Sequence, residues 1–571
     1  MNNKDIALAL EEMATLMELN GENSFRIRSY SNAVRQIELL KEPATGLIEN
    51  GTLDSVRGIG SKLADNIAAL VDTGKLPGVD DLKAALPEGL LGMLDVPGLG
   101  AKRVRGIYES LGISDVDALA KACEAGEIEK LSGFGKKTAQ NILQGVAYLQ
   151  KHRGRFLSRT AQVEAENLRD YLKDLPDVIR LEVTGSVRRK METSKDVDIV
   201  VSTEDPLALG EAFVSYDGVD EVTGQGETKV SVILQSGMSA DLRMVADDEF
   251  PYVLHHFTGS KEHNTMMRQR AKERGWKLNE YGLYEGEKRI ACDDEVGLFA
   301  ALDLPYIAPE LREGQGEIEA AEAKRLPELV IEQHLKGTLH VHTTYSDGRN
   351  TVEEMAKEAL SLGYTYIGIC DHSKAAAYAN GLNETRVRAQ WDEIDQVNET
   401  LDGIRVLKGI EVDILGDGRL DFDDDFLAEF DVVVASIHSK FAMTEKEATD
   451  RVIRAVKNPH VDILGHPTGR LLLAREGYPL DMRAVIDAAA ETQTAIEINA
   501  NPARLELDWR YLDYAKEKGV KIPINTDAHS TAGLADMHFG VGIARKGGLE
   551  MGDVQNALQL ETFLEGINSP K

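Results

Sequence analysis

The sequence predicts a multidomain α/β chain with a helical N-terminal third, an α+β middle and a C-terminal third of repeated strand–helix units. Three observations carry this. The chain has 571 residues, more than one hydrophobic core holds, and length alone suggests about three to five domains. Residues 1–150 read as helices separated by short Gly-rich turns, whereas 178–245 contains short runs with strand character (179–183, 197–201, 230–234 and 240–245). After a polar, Glu-rich stretch, EGQGEIEAAEAKRLPEL, strand and helix patterns alternate to the end of the sequence. Repeated βα units imply a parallel sheet. The seven strand candidates (337–343, 366–372, 405–414, 430–438, 461–467, 495–500 and 521–529) could close into a barrel, with chemistry at the C-terminal strand ends.

A hydrophobic content of 42% and a charged content of 28% fit an ordinary soluble protein. No apolar run approaches the ~20 residues needed to cross a bilayer, so no membrane partner is expected. The N-terminus carries acids where a signal peptide carries bases, and reads as an amphipathic helix with Ile6, Leu10, Met13 and Met17 near one face. Cys123, Cys292 and Cys370 are far apart and form no CxxC, which fits a reducing cytoplasm and argues against a thiolate zinc site. The formal charge of −31 argues at first against a nucleic-acid partner. However, metal sites need acids, and the chain can segregate its charge. Basic clusters lie in the first third: Lys102–Arg103–Arg105, Lys136–Lys137, Lys151–Arg153–Arg155 and Arg188–Arg189–Lys190. Taken singly, each reads as a solvated helix face.

One short pattern occurs three times, as Gly58-Ile59-Gly60, Gly98-Leu99-Gly100 and Gly133-Phe134-Gly135, each before a helical run. Gly-hydrophobic-Gly makes a tight turn and exposes backbone N–H groups at the helix start. With the helix dipole, those groups can bind phosphate without much net positive charge. A lone GxG is usually an ordinary turn. Three in one context resemble helix-hairpin-helix motifs, which hold nucleic-acid backbones without reading sequence, and make Gly58, Gly60, Gly98, Gly100, Gly133 and Gly135 candidate DNA contacts. The block NSFRIRSYSNAV with the Gly58 hairpin resembles the N-terminal domain of family X DNA polymerases. Lyase members of that family carry a Schiff-base lysine six residues after the third hairpin position. Here that residue is Asn66; Lys62 is near but does not match, so the resemblance supplies no lyase nucleophile.

Gly185-Ser186-Val187-Arg188-Arg189 precedes Asp196-Val197-Asp198-Ile199. Residues i and i+2 of a strand share a face, so Asp196 and Asp198 set two carboxylates side by side, an arrangement that is costly unless a cation bridges them. Asp241 lies on another strand candidate. Three carboxylates from two strands suit Mg²⁺ or Mn²⁺ with room for substrate phosphates. The Gly185-Ser186 turn can hold a terminal phosphate, with Arg189 adding charge. A DxD pair alone is more often a solvated surface strand, but the full combination resembles the nucleotidyltransferase palm, with the spacing of family X. Phe257-Thr258-Gly259-Ser260, Asn264, Arg268 and Asn279-Glu280-Tyr281-Gly282-Leu283 resemble the nucleotide-selection domain of the same family. The resemblance implies that Asn264 touches the incoming nucleotide, that Arg268 approaches the template, and that Asp241 receives the primer hydroxyl proton. Two positions depart from the polymerase beta pattern, His256 for Tyr and Ser239 for Arg, which bear on sugar discrimination and proton transfer.

The chain has 13 His, and six of them (His340, His342, His372, His438, His466 and His529) stand at predicted strand ends of the C-terminal third. A single strand-end His is usually a hydrogen-bonded core residue. Six alternating with Asp347, Glu411 and Asp527 form an imidazole–carboxylate set suited to Mn²⁺, Zn²⁺ or Fe²⁺. These nine candidates exceed the ligands of one catalytic zinc, so two or three clustered metals are the simpler reading, with phosphoester hydrolysis as the reaction class. Glu497 and Asn499 share the i, i+2 spacing on the sixth strand. The pattern HxH…D…DHS…E…H…H…DxH resembles the PHP (polymerase and histidinol phosphatase) domain, a distorted (β/α)7 barrel with three metals. The resemblance implies one metal held by His340, His342, Glu411 and Asp527, a second by Glu411, His438 and His466, and a third by Asp347, His372 and His529.

The expected domains are a lyase-like helical domain at 1–85, a second helical domain with two hairpins at 86–150, a palm at 151–245, a nucleotide-selection domain at 246–312, a linker at 313–332 and a PHP domain at 333–571. This order resembles bacterial family X DNA polymerases. It implies a cytoplasmic, monomeric enzyme that fills short gaps in gapped or nicked DNA with dNTPs. Its barrel would act as a 3′→5′ exonuclease, a 3′-phosphatase or an abasic-site endonuclease. A small-molecule phosphatase would explain the barrel but not the first 310 residues. A DNA-binding scaffold with a decayed palm would have to ignore the retained Asp196, Asp198 and Asp241.

Overall fold

The computed structural model describes residues 3–38, 40, 43–87, 89–96 and 99–567, so Gly98 lies outside the described residues. The chain divides into two compact units, Met1–Arg153 and Gly154–Lys571.

The first unit is helical and has two cores. Ile6, Leu10, Met13 and Met17, the predicted face of helix Asn3–Asn20, are buried with Tyr30, Ile37, Ile67 and Leu70. Leu90, Met93, Val104, Ile107, Leu119, Ile142 and Val146 form the other core. Helices Ser61–Thr73, Ala101–Leu111 and Lys136–His152 each begin at an extended glycine (Gly60, Gly100 and Gly135) with no side-chain cap. Their first N–H groups are therefore not claimed by a capping side chain, as a phosphate contact requires. Gly58 and Gly133 adopt φ of +92° and +83°, which glycine reaches without strain. Lys62, Lys102 and Lys137, each two residues past the hairpin's last glycine, are exposed. Asn66, at the lyase position, donates to the Tyr30 hydroxyl at 2.9 Å.

The second unit begins with a five-stranded sheet. Strand Asp196–Thr203 pairs antiparallel with Val178–Val183 and parallel with Ser239–Val245, followed by Lys229–Leu234 and Val219–Gln225. The last of these was not expected from the sequence. It is an edge strand of exposed residues, VDEVTGQ, with no apolar alternation to reveal it. Helices Phe250–Thr258 and Lys261–Glu273, a three-stranded antiparallel sheet over 276–290 and helix Glu295–Ala301 follow.

The stretch expected as a linker, 313–332, instead forms helix Glu317–Glu322 and packs. Ile318 and Ala321, one turn apart, enter the core around Tyr252, Met267 and Leu298. The buried Glu317 carboxylate is satisfied by His263 Nδ1 at 2.8 Å and by the N–H groups of Gly314 and Gln315. A Glu-rich run reads as solvated because its partners are distant in sequence or belong to the backbone.

The C-terminal part carries six parallel strands in sequence order, from Gly337–Val341 to Ala495–Ile496, and then the pair Ile498–Asn499 with Ile524–Asn525. A bridge from Ala528 to Val341 joins the last segment to the first, giving the distorted barrel. Strands Gly337–Val341, Tyr366–Ile369 and Val432–Ser436 are buried throughout, as parallel strands covered on both faces must be. Thr351 and Thr444 start the outer helices Val352–Ser361 and Glu445–Val456 with capping boxes to Glu354 and Glu447. The late strands are shorter than expected, two paired residues each. His466 and Asp527 hold φ of +23° and +51°, uncommon for residues with a Cβ.

Candidate active sites

In the sheet of the second unit, parallel pairing sets Asp198 directly opposite Asp241, with Asp196 two pairs away on the same face, opposite Ser239. Desolvation, then the charges of Asp196 and Asp241, raise the Asp198 carboxyl to about 7. Asp241 is held by the Ser231 hydroxyl at 2.6 Å and by Lys229 Nζ at 2.6 Å. The sequence reading missed Lys229, although strand alternation puts it on the same sheet. Gly185 has φ +63°, and a Cβ there would lie 2.6 Å from Asp198 Oδ2, so any other residue would be strained and would push on this carboxylate. Ser186 donates to Ser194 at 2.9 Å.

The neighbouring arginines are engaged. Arg188 donates to Thr258 Oγ1 at 2.6 Å and to Glu295 at 2.7 Å. Arg189, expected near the nucleotide, donates to Glu313 at 2.9 Å and to the Thr258 carbonyl. Gly259 packs against Arg189, where a Cβ would stand 3.0 Å from Nη1. Phe257 lies under the Arg243 guanidinium, 3.8 Å from ring centre to Cζ. Asn264 donates to the His256 carbonyl at 2.7 Å, and its buried Oδ1 has no hydrogen-bond partner. Arg268 is exposed.

All nine ligand candidates of the barrel converge. Glu411, fully desolvated on strand Arg405–Asp413, stands at the centre. His466 Nε2, His438 Nε2 and His340 Nε2 approach its Oε1 at 2.9, 3.1 and 3.4 Å, and His372 Nδ1 approaches its Oε2 at 2.8 Å. His342 Nε2 lies 3.1 Å from Asp527 Oδ1, and His529 Nε2 lies 3.4 Å from Asp347 Oδ1. Three groups have ligand atoms close enough for one ion each: His342, Asp347, His372 and His529; His340, His342 and Asp527; His372, Glu411 and His438. This differs from the expected partition. His342 and His372 each serve two groups, and His466 meets Glu411 without joining a group. The cause is that the ends of the first two strands lie side by side, which sequence spacing cannot convey.

The donor set fits divalent metals. Buried His340 Nε2, His342 Nδ1 and Nε2, His372 Nδ1 and Glu411 Oε2 face one another or nearby carboxylates without the geometry of a hydrogen bond, a costly state for polar atoms unless a cation takes them. Burial, then the neighbouring His529 and His372, hold His342 down at about 3, which keeps its imidazole neutral as a ligand must be. Burial opposes protonation of His438, but Glu411 and Asp413 outweigh it and raise this group to about 10.

A supporting layer surrounds these groups. Glu497 accepts from His340 Nδ1 at 2.8 Å and from the His466 N–H at 2.8 Å. Asn499 donates to Asp527 at 3.1 Å. Such partners fix ligand orientation. Arg504, which the sequence reading missed, brings its Nε within 3.6 Å of Asp527 Oδ2, and its buried Nη1 lacks a hydrogen-bond partner.

Residues 1–76 match the helix-hairpin-helix domain family and 90–146 the SAM-like helix-hairpin-helix tandem family. Residues 253–313 match the DNA polymerase beta thumb family and 338–501 the PHP domain family. The Bacillus subtilis protein named DNA polymerase/3′-5′ exonuclease PolX is 41% identical over 572 residues, covering 99% of this chain and 100% of that protein. The chain belongs to the PolX family. A protein named probable phosphatase from a Thermoanaerobacter species is 34% identical over 208 residues, 34% of this chain and 80% of its own. Another of that name, from Acetivibrio thermocellus, is 34% identical over 202 residues, 33% of this chain and 78% of its own. PolX-family membership therefore rests on the whole chain, while the phosphatase likeness covers about a third. Among the described residues, no helix is long and apolar enough to cross a membrane.

Proposed function

We propose that this PolX-family chain is a DNA-repair enzyme that fills short gaps by template-directed nucleotide addition and trims 3′ ends with its barrel. The observation that carries this reading is the presence, on one chain alignable throughout with a DNA polymerase/3′-5′ exonuclease, of two separate carboxylate-rich sites.

In the palm, Asp196, Asp198 and Asp241 would hold Mg²⁺ or Mn²⁺. The raised Asp198 carboxyl and the crowding of three acids support that role. Asp241 would take the proton of the primer 3′ hydroxyl as the new O–P bond forms and pyrophosphate leaves. Gly185 and Ser186 would grip the triphosphate of a dNTP. Arg189 would serve there on leaving Glu313, and Phe257, Gly259, Asn264 and Arg268 would line the nucleotide and template side. Gly58, Gly60, Gly98, Gly100, Gly133 and Gly135 would position gapped or nicked DNA through backbone N–H groups.

In the barrel, two or three Mn²⁺, Zn²⁺ or Fe²⁺ would be held by His340, His342, Asp347, His372, Glu411, His438, His466, Asp527 and His529. Bound metals would supply positive charge to phosphate oxygens and a reactive water. Glu497 and Asn499 would keep the ligands oriented, and Arg504 would hold the phosphodiester. Both sites come from one chain, so a monomer would suffice, and a cytoplasmic location fits a DNA-repair role.

The test is a labelled primer on a one-nucleotide gapped duplex with Mg²⁺ or Mn²⁺, with and without dNTPs. Extension with dNTPs and shortening without them is the expected result. Shortening alone would make the protein a nuclease with a structural palm.

A further inference from the structure

After strand Tyr366–Ile369 and the ligand His372, a loop runs over the barrel mouth and carries Tyr378 on a single turn, Ala377–Ala379. Tyr378 is 71% exposed, yet the loop beneath it is tied down. Asp421 accepts from the Ser373 hydroxyl and from the Ala375 N–H, both at 2.7 Å. Arg386 donates to the Asn380 carbonyl at 2.6 Å, and Leu382 N–H donates to the His372 carbonyl at 2.8 Å. A Cβ on Gly381 would meet the Ser373 carbonyl oxygen at 2.0 Å, so the loop closes on itself.

The ring of Tyr378 stands 6.1 Å from that of His372 and 6.5 Å from that of His438, both members of the ligand cluster. Its hydroxyl makes no hydrogen bond among the described residues, and the three residues before it are alanines. An aromatic ring left in water on a fixed loop contributes little to the core, but it offers a flat apolar face at the edge of the metal-ligating groups. A nucleotide whose phosphodiester reaches those groups would carry its base to about this distance, and every base stacks on an aromatic ring.

We infer that Tyr378 is the stacking platform for the base of the strand's 3′-terminal nucleotide at the barrel site, so that the site favours nucleic-acid ends over small phosphoesters. This rests on the nuclease reading of the barrel. Stacking requires the ring and not the hydroxyl, and it requires a base on the terminal nucleotide.

The full-length protein, loaded with Mn²⁺, is compared with Tyr378→Ala and Tyr378→Phe on two 5′-labelled oligonucleotides, one with a normal 3′ end and one ending in an abasic tetrahydrofuran residue. On the normal end Tyr378→Ala should raise KM by about 10- to 100-fold with kcat little changed, and Tyr378→Phe should match the parent. On the abasic end parent and Tyr378→Ala should be equal. A 3′-terminal 2-aminopurine should be quenched on binding the parent and not on binding Tyr378→Ala. Equal KM for parent and Tyr378→Ala on the normal end overturns the inference. So does an equal loss on both ends, which would make Tyr378 a support for the ligands. A parent inactive on both ends would overturn the nuclease reading, and the inference with it.

Discussion

Lys546, on the last long barrel helix, places its Nζ 3.1 Å from the main-chain carbonyl of Arg189, the final arginine of the palm's glycine–serine turn. The same ammonium pairs with Glu313, which also accepts from the Arg189 guanidinium. Lys546 is fully buried, so one side chain ties barrel, palm and the 313–332 segment together. Removing one partner of a buried pair costs about 3–5 kcal/mol when the other charge is left unpaired. Here Arg189 still pairs with Glu313, so Lys546→Met should lower the thermal unfolding transition of the second unit by less than that would imply, and adding Glu313→Gln should lower it further by taking the carboxylate from Arg189. A Lys546→Met protein that melts with the parent would mean the contact is dispensable.

The two active sites should fail independently. Asp198→Asn should abolish nucleotide addition on gapped duplex and leave 3′ shortening intact. His340→Ala should do the reverse. If either substitution removes both activities while the protein stays folded, a single shared site replaces the two-site reading.

Metal content should follow the shared ligands. His342 belongs to two of the three groups, so His342→Ala should lower the metal bound per chain, measured by atomic emission, more than Asp347→Ala, whose residue belongs to one. Glu497 makes no group itself but orients His340. Glu497→Ala should weaken metal affinity and hydrolysis about 10- to 100-fold. Chelation should abolish both activities, and re-addition of Mn²⁺ should restore them.

Burial alone would raise the Glu295 carboxyl, but Arg312 and Arg188 outweigh it and hold it below the usual carboxylate range. A depressed folded-state value contributes stability at pH above the unfolded value near 4.5, lost as pH falls through the folded one. Glu295→Gln should accordingly be strongly destabilised near neutral pH, with the gap to the parent closing on acidification. Thermal unfolding across that range measures it, and a gap independent of pH would discount the ion triad.

Binding to gapped duplex should depend weakly on salt, because backbone N–H groups release few counterions. Affinity should fall by no more than about fivefold between about 50 and 200 mM salt, against about 40-fold if three lysines each neutralise a phosphate. A fall of that larger size would assign the grip to Lys62, Lys102 and Lys137 in place of the hairpin amides.

Much of the active-site chemistry was legible because its elements repeat short rules. Asp196 and Asp198 follow strand alternation, the histidines sit at strand ends, and the three hairpins share one spacing. Lys229, Arg504 and Tyr378 escaped because a single polar or aromatic residue in an ordinary segment carries no pattern. The 313–332 segment reads as a linker in sequence because composition reports solvation and not partners, and Glu317 finds its partners in His263 and two backbone N–H groups.

The sequence by itself determined most element types, the four domain resemblances and the nine ligand candidates, since periodicity and residue chemistry are local properties. Tertiary structure decided which ligands share an ion, that Arg189 is tied to Glu313, and that Lys546 reaches the palm turn. Those are distances of a few ångströms between residues tens to hundreds of positions apart. They are set by how strands register and helices dock, and no local pattern encodes them.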